Sequence, residues 1–217
     1  AALSTGTQPG SNGLLGNQLY VPAIDRGRAL DSSNYRNLLD LERVSGGRLL
    51  LAPTLAERLH DRGLRLAGVS SGSTGSAFLL NPRAPAGIGV VINGYFDPGK
   101  TVAYPAEVSE AILSRFGPAP VKAPGAARYD ASVTWTERVL REYVLPDLRP
   151  DVVINWLTEP DHSQHHGGVG SPASREALRH DDGEIASVLA SLDALGLAGR
   201  VAVLIASDHG FSTNTGG

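Results

Sequence analysis

Two pairs of aspartate and histidine each follow an apolar run of strand length. Asp161 and His165 come after the run 151–157, and Asp208 and His209 come after the run 201–206. Carboxylate and neutral imidazole are ligands of Zn²⁺, and they also suit Mn²⁺ and Fe²⁺. Four such ligands in two pairs predict two divalent ions, with zinc first among the candidates. Two neighbouring ions can clamp the attacking and leaving oxygens of an in-line displacement.

The spacing within each pair sets a condition on the local backbone. Asp161 and His165 are four residues apart, so a helical turn after Pro160 would put both side chains on one face. Asp208 and His209 are adjacent and would point in opposite directions on a regular strand, but a turn after the strand lets both reach inward. A solvated polar loop is the alternative for each pair alone. The position of both pairs directly after apolar runs favours the metal interpretation. His162 and His166 are expected around the ligands or on the surface.

The elements that must position these pairs alternate between strands and helices. Apolar runs predict strands over 64–70, 88–93, 151–157 and 201–206, while helical patterns cover 34–43, 53–62, 106–116, 129–144 and 174–195. Strands without alternation are buried on both faces, which is typical of an α/β fold with a mostly parallel sheet and helices on both faces. The carboxyl ends of parallel strands share one edge, so the two pairs are expected to converge there. Residues 1–30 and 94–105 are expected to be irregular, and Asp181, Asp182 and Glu184 are expected on the solvent side of their helix.

The composition excludes several classes of protein. A formal charge of −3, from 19 basic and 22 acidic residues, leaves no cation excess for electrostatic binding of a nucleic-acid duplex. No apolar run approaches the about 20 residues of a membrane span. The sequence has no cysteine, which excludes disulfides and thiol catalysis. It also has no methionine and begins at Ala1, and residues 212–217 look like a loop. We therefore expect one α/β domain over 1–217 that is truncated at both ends.

Three segments resemble the type I phosphodiesterase/nucleotide pyrophosphatase branch of the alkaline phosphatase superfamily. Residues 156–172 are similar to a strand followed by Glu-Pro-Asp-x-x-x-His-x-x-Gly-x-x-Ser, and residues 206–211 contain Ser-Asp-His-Gly after a further helix and strand. Residues 3–17 are similar to a stretch with Thr-Gly, a turn and Gly-Asn, although Asn12 stands where the family usually has histidine. The middle of the chain, about 25–150, is not diagnostic.

The resemblance implies a role for each matching residue. Asp161 and His165 would hold one metal and Asp208 and His209 the other, while the Asn17 amide would donate a hydrogen bond to a phosphate oxygen. A turn residue is the alternative for Asn17. The family also has a Thr or Ser nucleophile that would precede Ala1, an Asp ligand further upstream and a His ligand beyond Gly217. The chain would then contain no catalytic nucleophile, and we expect it to be inactive when isolated.

The function that this resemblance implies is metal-dependent hydrolysis of phosphodiesters or nucleotide pyrophosphates through a covalent phospho-enzyme. The substrate would be a small phosphate ester or nucleotide. Alternatives within the superfamily are a phosphomonoesterase, a phosphonoacetate hydrolase and a non-catalytic metal-binding relative. The loop 70–76 looks like a phosphate cradle but lacks the Gly-Lys-Ser/Thr ending of a P-loop. Export to the periplasm or the exterior is the favoured location, with any signal region outside this chain. The sequence makes no prediction of the oligomeric state.

Overall fold

A computed structural model describes residues 1–212 of the chain. Residues 213–217 lie outside the description, and with them most of the loop predicted at the C-terminal end. The chain divides into two compact units. Unit 1 contains Ala1–Ala119 and Pro150–Trp156, and unit 2 contains Pro120–Arg149 and Leu157–Gly217.

Unit 1 is built around a four-stranded sheet. Its elements in chain order are α1 (Ala2–Thr5), α2 (Pro9–Asn12), β1 (Gln18–Leu19), β2 (Leu30–Asp31), α3 (Tyr35–Val44), α4 (Leu55–His60), β3 (Leu66–Ser70), α5 (Thr74–Phe78), β4 (Val90–Asp97), β5 (Thr101–Tyr104), α6 (Ala106–Phe116) and, after the unit 2 insertion, β6 (Val152–Trp156). The strand order is β5-β4-β3-β6. β3 is parallel to both β4 and β6, while β5 is antiparallel to β4. The predicted α/β class with a mostly parallel sheet is confirmed.

At two glycines of unit 1, one in β3 and one in α5, the packing leaves no space for a larger residue. β3 is buried along its whole length, and a Cβ on Gly68 would lie 2.9 Å from the Leu80 Cβ. α5 packs against the backbone before α3 at Gly75, since a Cβ there would lie only 1.9 Å from the Ser32 carbonyl oxygen. An aromatic cluster fills the adjoining core, with the Tyr35 and Phe96 rings 4.9 Å apart.

Unit 2 is helical. α7 (Asp130–Val139) continues into a π-helix over Leu140–Leu148, and α8 (Asp161–Gly167) precedes the long α9 (Pro172–Ala194). α9 begins where the Ser171 side chain accepts a hydrogen bond from the Ser174 amide, and Pro172 occupies its first turn. No helix in the part of the chain described, 1–212, combines the length and apolarity needed to cross a membrane.

Three expectations about the elements are wrong, besides that of an irregular course over 1–30, where α1, α2 and β1 form. Residues 201–206 form no strand, and the apolar side chains of Leu204 and Ile205 are exposed. Residues 94–105 are not irregular, because β4 extends to Asp97 and turns into β5. On α9, Asp181 and Glu184 are buried rather than solvated, and only Asp182 is exposed. The first two errors concern pairing between strands, and the third concerns which other helices cover α9.

Candidate functional site

Asp161 and His165 share one face of α8. The chain leaves β6, passes Pro160 and enters α8 at Asp161, so the helical turn expected after Pro160 is present. The Asp161 Oδ1 lies 3.6 Å from the His165 Nε2, and both side chains are more than half exposed. The turn therefore presents an acid and an imidazole side by side toward solvent.

Asp208 and His209 form a second couple of the same kind, on a segment without regular secondary structure. The Asp208 Oδ2 lies 3.5 Å from the His209 Nε2, and the His209 amide donates to the Asp208 Oδ1 over 3.0 Å. The Gly210 carbonyl accepts from the imidazole and raises the pKa of His209, and the Asp208 and Asp161 carboxylates raise it further. Because neighbouring acids favour the imidazolium, a cation is the charge that this environment attracts.

The segment that follows the second couple contacts α8 within unit 2. The His165 and Phe211 rings meet edge to face with centroids 4.7 Å apart, which places the segment after His209 against α8. The Asp161 carboxylate is also close enough to act on His209. The segment after His209, more than 40 residues beyond α8 in the sequence, therefore packs against the helix that carries the first couple.

The donor chemistry of each couple fits a divalent metal ion. Two ligands of one tetrahedral zinc, each about 2.0–2.2 Å from the ion, are about 3.5 Å apart, which matches the spacing within each couple. Within residues 1–212, however, no three side chains of His, Asp or Glu are grouped to hold one ion. The described chain thus offers two half-sites, each with one carboxylate and one imidazole.

Sequence reasoning missed a buried acid next to the first couple. Glu159 accepts hydrogen bonds from the Tyr129 amide at Oε1, over 2.8 Å, and from the Ser163 amide at Oε2, over 3.0 Å. His162 lies against the same segment, since its Nε2 is 2.7 Å from the Ala126 carbonyl oxygen and its ring stacks on Tyr129 at 3.7 Å. The available signal was the position of Glu159 between an apolar run of strand length and Pro160.

A cluster of acids lies between α7 and α9. Asp181 is buried there, and its Oδ1 makes no hydrogen bond. Burial is the main cause that raises the pKa of Asp181 to about 8, and the charges of Glu159, Glu137, Asp130 and Glu184 raise it further. Such a carboxyl is neutral at pH 7. The cluster is a buried structural feature that the helical pattern of α9 did not predict.

Asn17 lies in unit 1 and is exposed. Its backbone carbonyl accepts from the Ser32 amide over 2.8 Å, next to the short β1–β2 pair. Asn12, at the position where histidine was expected, is fully buried and bonds locally to Thr7 and Leu14. Asn12 therefore closes a turn, while the role of Asn17 toward phosphate stays a prediction.

The loop 70–76 uses its polar groups internally. The Ser70 Oγ accepts from the Gly72 amide, and the Asn93 side chain donates to the carbonyls of Ser70 and Gly72, each over 3.1 Å. The Ser73 side chain caps α5 by accepting from the Ser76 amide. These bonds give the loop a structural role that agrees with its lack of a P-loop ending.

Comparisons with known proteins identify the family. The sequence pattern of the family described as type I phosphodiesterase/nucleotide pyrophosphatase matches residues 1–216. Two solved structures of phosphonoacetate hydrolase from Sinorhizobium meliloti 1021, in complex with phosphonoformate and with phosphonoacetate, are similar in fold, each with 23% identity and a TM-score of 0.60. Each match covers 90% of this chain and 41% of the hydrolase chain, so our chain spans less than half of that protein's length. None of the curated proteins matches it. The chain belongs to the type I phosphodiesterase/nucleotide pyrophosphatase family.

Proposed function

We propose that the protein is a divalent-metal-dependent hydrolase of small phosphodiesters or nucleotide pyrophosphates. The observation that carries the proposal is the contact between α8, which carries one Asp–His couple, and the segment after residue 206, which carries the other. Membership of the family supports the type of reaction. Asp161 and His165 would hold one ion, and Asp208 and His209 the other. Bound there, divalent ions supply positive charge that stabilises the phosphoryl oxygens during displacement.

The remaining roles are proposals of the same kind. Asn17 would donate its amide hydrogen to a non-bridging oxygen, because developing negative charge needs a fixed donor. The nucleophile would be a Thr or Ser outside these 217 residues. Its hydroxyl oxygen, having lost its proton, would attack phosphorus, break the P–O bond to the leaving alcohol or phosphate, and give a covalent phospho-enzyme. Trapping this intermediate with a slow substrate, followed by mass spectrometry, would identify the residue.

Phosphonate hydrolysis is the second candidate function. The specific observation in its favour is the similar fold of a phosphonoacetate hydrolase. The two functions differ in the bond that is broken, P–O in an ester and P–C in a phosphonate. Release of phosphate from phosphonoacetate, compared with release of nitrophenol from bis-p-nitrophenyl phosphate, separates them directly.

The experiment that tests the proposed function is removal and return of the metal in the full-length protein. We expect chelation to abolish hydrolysis of bis-p-nitrophenyl phosphate, and Zn²⁺ or Mn²⁺ to restore it. Asp161→Asn removes one charged ligand, so we expect kcat/KM to fall by at least about 100-fold. Asp182→Asn is the matched control, because Asp182 is an exposed acid on α9. Undiminished activity after chelation, or in Asp161→Asn, contradicts the proposal.

A further inference from the structure

Glu159 is a buried acid to which the proposed metal chemistry gives no task. Glu159 is 5% exposed, and in the sequence it lies between β6 and the first residue of α8. Its two carboxylate oxygens accept from two different backbone amides, those of Tyr129 and Ser163. Hydrogen bonds from backbone amides to a carboxylate are among the stronger ones in proteins. Glu159 therefore joins two segments of unit 2 that are 30 residues apart in the chain.

The bond to Ser163 fixes the first turn of α8. The first amides of a helix have no carbonyl partner within it, and a side chain before the helix usually supplies one. Pro160 occupies the cap position and supplies no such bond. The Glu159 carboxylate takes this place at Ser163, which is fully buried and lies midway between Asp161 and His165 in the sequence.

The bond to Tyr129 anchors that turn to the segment 120–129. The same segment contacts α8 a second time at His162, through the Ala126 carbonyl and through the stacked Tyr129 ring. Glu159, two residues before Asp161, and His162, directly after it, are both held in this way. Asp161 itself is exposed. The contacts of these neighbours therefore fix the backbone at Asp161, while its own side chain faces solvent.

We propose that Glu159 is a positioning residue that holds the first turn of α8, and with it Asp161 and His165, in the arrangement that binds a metal ion. This inference rests on the proposed function. The spacing of 3.6 Å between the two ligands then exists before the ion arrives, so binding does not have to order the turn. Groups that orient metal ligands typically change metal affinity by about 10- to 100-fold when replaced.

The test compares metal affinity in Glu159→Gln and in a matched control, both in the full-length protein. Glutamine keeps the size of Glu159 but presents an amide to at least one of the two backbone donors. We expect Zn²⁺ affinity, measured by competition with a chromophoric chelator, to fall by about 10- to 100-fold. The control is Glu184→Gln, because Glu184 is a buried acid of α9 that accepts from Thr134 rather than from α8. We expect it to keep the wild-type affinity.

The outcomes separate this inference from the proposed function. If the wild-type protein neither binds a divalent ion nor hydrolyses a phosphoester, the proposed function fails. If it does both, and Glu159→Gln binds Zn²⁺ as tightly as the wild type, the positioning role alone is overturned. An equal loss in both variants also overturns it, since that result reports general destabilisation.

Hydrogen exchange covers the case in which Glu159→Gln does not fold. In the metal-free wild-type protein, we expect the Ser163 amide to exchange much more slowly than the amides of the exposed end of α8. We expect added Zn²⁺ to change its protection by less than about tenfold, because the turn is already formed. Rapid exchange that becomes slow only with Zn²⁺ overturns the inference.

Discussion

Lys122 combines burial with an aromatic and an acidic neighbour. Its Nζ lies 4.9 Å from the centroid of the Tyr129 ring, and the Glu159 charge also acts on it. Burial is the larger effect and lowers the pKa of Lys122 to about 8, while Glu159 acts in the opposite direction. A lysine with such a pKa has a substantial neutral fraction near pH 8, and a neutral amine is nucleophilic.

We expect competitive acetylation to report this pKa. The acetylation rate of Lys122 should reach half of its maximum near pH 8, as measured by mass spectrometry of the folded protein. Glu159→Gln removes the charge that raises the pKa, so the midpoint should move lower. Lys100 is the internal reference because it is exposed at the turn after β4. Identical pH profiles for the two lysines would contradict this prediction.

At the scale of single residues, the sequence predicted the parts of the site that depend on local spacing. Asp161 and His165 share a face because they are four residues apart in a helical turn. The contacts of Glu159 and His162 were not predictable, since their partners lie in 120–129, a segment without regular periodicity. The sequence also predicts that the two couples converge at a shared sheet edge, but residues 201–206 form no strand, so the shared metal site stays a prediction.

Packing between α7 and α9 encloses several acids and few bases. Asp130 and Glu137 come from α7, and Asp181 and Glu184 come from α9. Glu184 has partners, since the Thr134 hydroxyl donates to it over 2.8 Å and Arg141 lies 3.4 Å away. His180 Nδ1 lies 3.6 Å from Asp181, too far for a hydrogen bond. Asp181 therefore faces mainly like charges from α7, α9 and Glu159.

Stability should consequently depend on pH through Asp181. Its pKa is raised from 3.8 to about 8 in the folded protein. The folded state then binds more protons than the unfolded state between about pH 4 and pH 8, so the free energy of unfolding falls as pH rises through this window. We expect Asp181→Asn to raise the free energy of unfolding by about 2 kcal/mol at pH 9. The difference should be small at pH 4.

Denaturant unfolding at several pH values measures this effect. Asp182→Asn is the matched control on the exposed side of α9, and we expect the same pH dependence as in the wild type. A constant difference between Asp181→Asn and the wild type from pH 4 to pH 9 would mean that Asp181 does not titrate in this window.

Two helical glycines should respond to alanine with opposite signs. In Gly75→Ala the new Cβ would meet the Ser32 carbonyl oxygen at 1.9 Å, so α5 or the backbone before α3 must move. We expect a loss of about 2 kcal/mol in the free energy of unfolding. In Gly183→Ala nothing lies within 4 Å, and the better helix propensity of alanine should add up to about 1 kcal/mol. Thermal unfolding of both variants provides the check, and a stable Gly75→Ala protein would contradict it.

Elements with strong local signals were predictable, and those that depend on distant pairing were not. The apolar run before Ser70 became β3, which is buried along its length. The run 201–206 has the same character but has no strand ladder in the described chain. An apolar run specifies the preference for burial, whereas a strand also needs a neighbour to supply its hydrogen bonds. The β4–β5 hairpin was missed because Asp97 and Thr101 pair around a turn inside a stretch without alternation.

At the scale of the whole molecule, the segment 201–206 exposes a run of apolar side chains. Leu204 is 93% exposed and Ile205 is 76% exposed, and the segment contains no charged residue. Exposed, uncharged runs of high β-propensity promote association between chains. We expect the 217-residue chain to self-associate at micromolar concentration, as measured by sedimentation velocity. Leu204→Lys should shift it toward the monomer, and Leu178→Lys on α9, where Leu178 is also exposed, should not. Equal effects of the two variants would contradict a special role for the segment.

β6 occupies the end of the strand order β5-β4-β3-β6, with β3 as its partner on one side. Its outer edge is a template on which the sheet can grow. A strand laid in parallel along that edge would finish level with Trp156, where the chain departs toward α8. Such a strand would gain a ladder of backbone hydrogen bonds along β6. The sheet could then be extended without any rebuilding of the strands already formed.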